Sequence, residues 1–146
     1  MSFLSNLEKY IKKYKQPLKT LGFKVVEKED GPGMGAFLHL SNEEMDIVLI
    51  NDKGQFFIEL EKEKYSVGLE LLLSFIKLED EKQDLRFMMF EEKFSIWEIN
   101  YDFSDPLNFL MRNFEKIDSF LGRITVDGLT DLVHEYYKDR GKWLYK

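Results

Sequence analysis

With 146 residues, the chain is long enough for one domain that buries roughly two-thirds of its unfolded surface. A composition 44% hydrophobic and 15% aromatic, with only three prolines, excludes a disordered segment. The absence of cysteine excludes disulfides, thiolate zinc sites and cysteine nucleophiles together. The net charge of −6 is unevenly spread: residues 1–28 carry seven Lys against two Glu, residues 136–146 four basic residues against Asp139, and residues 29–135 ten basic against twenty-four acidic.

The first segment, "MSFLSNLEKYIKKYK", has no continuous apolar core of a signal peptide, and the longest apolar run, "LLLSFI", is too short to cross a bilayer. The chain therefore reads as soluble and cytoplasmic, with no membrane partner. Phe3, Leu4, Leu7, Tyr10, Ile11 and Tyr14 recur at helical spacing, with Lys9, Lys12, Lys13 and Lys15 off that stripe. Ser5 with Glu8 has the form of a capping box, and Ser2 is an equally good start. Pro17 should end or kink this helix, with a short turn running on to Gly22 as the C-terminal cap.

Four strands are expected at 23–27, 35–40, 44–51 and 55–61, joined by "KEDGPGM", "SNE" and "DKG". Gly54 in the last loop can take the positive φ of a bulged hairpin. In the fourth strand Phe56, Ile58 and Leu60 point one way and Gln55, Phe57, Glu59 and Glu61 the other, the alternation of a sheet with one face on helices and one toward water.

The run "YSVGLELLLSFIKLED" reads as a helix apolar nearly all round, which must be buried or covered. Alternation from Phe94 to Phe103 favours one or two further strands. "SDPLNFLMRNFEKIDSFLG" reads as one helix capped by Asp105 or Ser104, with Pro106 in its first turn and Gly122 closing it. A last helix from about Asp127 to Arg140 places Leu129, Leu132, Val133, Tyr136 and Tyr137 together and ends at Gly141, leaving an aromatic tail, "KWLYK". The whole predicts a single α+β domain over 1–146: an antiparallel meander of four to six strands packed on one face by N-terminal and C-terminal helices.

Catalytic signatures are missing. Gly31, Gly33 and Gly35 lead into a strand and follow Glu29 and Asp30, whereas a phosphate cradle leads into a helix and is followed by a Lys-Ser or Lys-Thr pair. No G-x-S-x-G elbow is present. His39, mid-strand, and His134, on a helix face, have no partner at metal-ligand spacing and read as ordinary surface or strand residues. The carboxylates of Glu59 and Glu61 on one strand face, and of Glu43, Glu44 and Asp46 on the strand before it, can serve acid-base work only if burial shifts one of them. The exposed aromatics Phe57, Trp143 and Tyr145 are candidate contact anchors. These features point to a non-enzymatic module with no cofactor, whose acidic surface repels nucleic acid and steers a basic protein toward Glu43, Glu44, Phe57, Glu59, Glu61, Trp143 and Tyr145.

The order helix, strand meander, helices, with "LGFKVVEKE", "GAFLHLSNEEMDIVLINDKGQFFIELE" and "LNFLMRNFEKIDSFL", resembles small bacterial immunity-type proteins of polymorphic toxin systems. The likeness covers residues 1 to about 65. It implies a protein, monomer or homodimer, that binds and neutralises a cognate toxin without chemistry of its own. The element order is also similar to that of small acidic secretion chaperones, which hold an effector segment as dimers. A carboxylate-dependent enzyme is the remaining class, and it would show a concave pocket with convergent, shifted carboxylates.

Overall fold

A computed structural model describes residues 2–31, 35–80 and 105–144. The chain divides into two compact units, one from Met1–Leu69 with Tyr101–Phe114 and the other from Glu70–Asn100 with Glu115–Lys146.

The first unit is built on an antiparallel five-stranded sheet whose spatial order is the chain order, an open meander. Its strands are β1 (Lys24–Gly31), β2 (Gly35–Ser41), β3 (Asp46–Asp52), β4 (Gln55–Lys62) and β5 (Tyr65–Gly68). Helices α1 (Phe3–Lys12) and α2 (Lys15–Thr20) precede it. Register places Ala36, Asn51 and Phe56 in one row, Leu38, Leu49 and Ile58 in the next, and Leu40, Ile47, Leu60 and Val67 in a third. These rows form the inner face, and most of their side chains are fully buried. Helix α1 lies against it, with Leu7 and Tyr10 buried and the Tyr10 ring stacked on Phe56 at 4.5 Å between centroids. Burial of this kind contributes roughly 1.5–3 kcal/mol per large apolar side chain. Helix α4 (Pro106–Arg112), which follows α3 (Leu69–Asp80) in the chain, packs near β4 with Leu107 and Leu110 fully buried.

Several local expectations change here. Of the two starts that the sequence offers for α1, Ser2 is the one used, its hydroxyl accepting from the Ser5 N–H at 3.0 Å. The stretch around Pro17 is a second helix rather than a turn, because Pro17 is its third residue, where no intrahelical N–H is required. Gly22 does close it: Gly22 N–H donates to Lys19 O at 3.0 Å and Phe23 N–H to Leu18 O at 2.9 Å, the paired bonds of a Schellman cap.

The β3–β4 connection is not bulged. Asp52 pairs with Gln55, so only Lys53 and Gly54 turn the chain, both at positive φ (54° and 95°). Tyr65–Gly68, expected as the start of a helix, is instead β5, turned back by Glu63 and Lys64 at φ 49° and 72°. β1 runs on to Gly31, and Gly31 faces Gly35 across the ladder. Gly35 has φ +139°, and a Cβ there would lie 2.1 Å from the Asn51 carbonyl oxygen, so only glycine fits. The glycine-rich stretch thus serves the close approach of two strands, with residues 32–34 outside the described set.

The second unit contains most of α3 (Leu69–Asp80), most of α5 (Phe114–Arg123) and all of α6 (Val126–Leu144). Leu69, Leu71, Leu72, Leu73, Phe75 and Ile76 of α3 are buried, as an all-round apolar helix must be. Ser74, among them, is satisfied by donating to Glu70 O at 2.8 Å. Arg123 and Glu79 form an ion pair at 2.5 Å.

The expected long helix from Pro106 is broken at Asn113, whose side-chain amide donates to Phe109 O at 2.8 Å and gives the backbone an alternative to helix continuation. Gly122 lies inside α5 rather than ending it. Gly141 likewise lies within α6, which continues to Leu144, so Trp143 belongs to a helix and not to a tail. Glycine weakens a helix interior by only about 1 kcal/mol, too little to stop one held by packing. Leu129, Val133 and Tyr136 form the buried stripe of α6, while Tyr137 is 57% exposed and off it. The strands expected between Phe94 and Phe103 lie outside the described residues.

Candidate functional site

The face of the sheet opposite the α1 side carries the side chains of alternate register. Phe37, Ile50 and Phe57 form one row across β2, β3 and β4; His39, Val48 and Glu59 the next; Ser41, Asp46 and Glu61 the third. Every one of these nine residues is partly buried. The face is therefore apolar at one end, through Phe37, Ile50, Phe57 and Val48, and acidic at the other, through Asp46, Glu59 and Glu61. No lysine or arginine occupies an outward position of β2, β3 or β4 among the described residues.

Of the residues singled out from sequence, Phe57, Glu59 and Glu61 share this face as their alternation requires. Glu59 accepts a hydrogen bond from the Ser66 hydroxyl of β5 at 2.8 Å, which holds its carboxylate over the sheet. Glu43 and Glu44 do not lie on β3: the strand starts at Asp46, and both are exposed in the β2–β3 turn. That turn is set by Asn42, whose Oδ1 accepts from Glu44 N–H and Met45 N–H at 2.8 and 2.7 Å and whose amide donates to Leu21 O at 2.8 Å. An asparagine closing an Asx turn leaves no ladder position for the two glutamates. Tyr145 and the side chain of Trp143 lie outside the described residues.

The reading of His39 as an isolated strand residue missed its neighbours. Its Nε2 lies 3.4 Å from Asp46 Oδ1, and one ligand atom from each of His39, Asp46 and Glu61 falls within 4.8 Å of the others. The pairing explains it: Asp46 faces Glu61 directly across β3–β4 and lies diagonally from His39 across β2–β3. The signal in the sequence was parity, since 39, 46 and 61 all lie on the outward register once the two hairpins are placed. His134, by contrast, is exposed on α6, as expected.

A second polar centre lies on the other side of the sheet. Tyr10 of α1 and Tyr14, the residue before α2, both donate to Asp105 Oδ1, at 2.6 and 2.5 Å, and the Leu107 N–H donates to the Tyr10 hydroxyl at 3.0 Å. Asp105 stands at the N-cap of α4 but makes no side-chain capping bond, because its carboxylate is used by the tyrosines. Burial, and then the hydrogen bond to Asp105, push both phenols above their ordinary value, Tyr14 up to about 12. Two phenols held protonated on one carboxylate tie α1 and the start of α2 to α4; they supply neither a base nor a nucleophile at neutral pH.

A groove of about 520 Å³ between α1 and β1 is lined by Ile11, Val25 and Leu38, with Lys28 and Glu8 paired at 3.6 Å beside it. Its mixed charge selects no ligand class. Among the described residues no helix is long and apolar enough to cross a membrane. No protein-family model matches this chain, and no curated protein or solved structure is significantly similar to it.

Proposed function

We propose that the protein is a non-enzymatic binding module that engages a basic protein partner through the outer face of β2–β4, in the manner of an immunity-type inhibitor bound to its toxin. The observation that supports this reading is the pairing of Phe37, Val48, Ile50 and Phe57 with Asp46, Glu59 and Glu61 on one face of β2–β4, where no outward position among the described residues is a lysine or arginine. The apolar end supplies the area that drives association, and the acidic end supplies steering and register. Carboxylates in this position mimic the phosphates that a nuclease site accepts, which makes a basic nuclease the best-suited partner.

The test is capture of partners from the native host with wild-type bait and with a Glu59→Lys/Glu61→Lys variant in parallel. A stoichiometric basic protein should be retained by the wild type at 50 mM salt and lost at least tenfold by the variant, since like-charge juxtaposition costs several kcal/mol. Equal capture by both baits would remove this face from the interaction.

A further inference from the structure

We infer that His39, Asp46 and Glu61 form a site for one divalent first-row transition ion, of which Zn²⁺ is the representative. Three adjacent strands each contribute one ligand atom, and the three atoms lie within 4.8 Å of one another. In a tetrahedral zinc site with bonds of about 2.0–2.1 Å, neighbouring ligand atoms stand about 3.3 Å apart. The His39 Nε2 to Asp46 Oδ1 separation of 3.4 Å matches that edge and is too long for a good hydrogen bond. Glu61, half-buried like the other two, supplies the third ligand atom within 4.8 Å of both.

Electrostatics favour an ion here. Asp46 and Glu61 face each other directly in the β3–β4 ladder, an arrangement of like charges that destabilises a sheet. Among the described residues Asp46 has no lysine or arginine within ion-pair distance, only the His39 ring, and Glu61 has no ion pair. A bound cation would turn this repulsion into attraction, and the half-buried imidazole, 21% exposed, holds its ring close to the sheet where little reordering is needed.

The ligand types select the metal class. One imidazole with two carboxylates suits zinc, cobalt or manganese, whereas calcium and magnesium take oxygen alone at higher coordination. Three protein ligands leave the fourth position to water. The site does not rest on the partner-binding reading, because the free protein alone would take up the ion.

Zn²⁺ is titrated calorimetrically into the full chain at pH 7.5, and in parallel the imidazole signals of both histidines are followed by NMR. One ion per chain should bind, and the His39 ring signals should shift while those of His134 stay in place. Either His39→Gln or Glu61→Gln, checked for unchanged circular dichroism, should weaken binding at least tenfold. Absence of saturable binding, movement of both histidines alike, or an unchanged affinity in both variants would overturn the assignment.

Discussion

Asn51 shows how much a single polar residue can specify. It is fully buried on the inner face, yet its amide donates to Phe3 O at 3.1 Å and its Oδ1 accepts from Gly54 N–H at 2.8 Å, so it joins the start of α1 to the β3–β4 hairpin. Asn51→Leu fills the same space but leaves Phe3 O and Gly54 N–H without that partner, and should lower stability by about 1–3 kcal/mol in urea unfolding. The Tyr14 phenol offers a second test. Its folded value of about 12 exceeds the ordinary 10 of an unfolded chain, so the native state holds the proton more tightly. The stabilisation is complete below pH 10 and is lost as pH rises through 12. The urea midpoint of the wild type should therefore fall between pH 10 and 12, and that of Tyr14→Phe should fall less over the same interval; an identical pH dependence would show that the Tyr14 phenol does not set it.

Turns dominate at the scale of the element. Both two-residue hairpins have positive φ at both central positions, as a type I′ turn does, and Lys53-Gly54 meets that with one glycine, whereas Glu63-Lys64 meets it with none. An L-residue in the left-handed region costs roughly 1–2 kcal/mol. Replacing Glu63-Lys64 by Asn-Gly should raise the thermal midpoint and add about 1 kcal/mol of stability, measured by urea unfolding; a loss would mean that the two side chains contribute more than their backbone strain. The same reasoning explains why β5 was hidden in the sequence. A hairpin without glycine, followed by four strand residues that run straight into the apolar α3, carries no local punctuation. The break at Asn113 was hidden for the opposite reason: the apolar spacing runs through it unbroken, and only the Asn113 bond to Phe109 O shows the chain leaving the helix.

At the scale of the molecule, charge is the quantity that acts over distance. Twenty-four acidic residues against ten basic between 29 and 135 make a field that the basic partner proposed above would feel before contact. Association of the captured basic protein should slow by about tenfold between 50 and 300 mM salt, read by stopped flow, because exposed charges are screened within roughly 10 Å at 0.1 M; a salt-independent rate would mean that the field plays no part. The meander of strands 1 to 4, the inward parity of Phe56, Ile58 and Leu60, the cap at Gly22 and the burial of the α3 leucines were all legible in the sequence, since each rests on spacing within a few residues. So was the shared outward face of Phe57, Glu59 and Glu61. Tertiary structure alone decided which residues from different strands meet. His39, Asp46 and Glu61 are separated by up to twenty-two positions, and Tyr10, Tyr14 and Asp105 by more than ninety. Periodicity fixes the side of a strand on which a residue lies, but only the register of neighbouring strands and the docking of α1 against α4 fix what lies opposite.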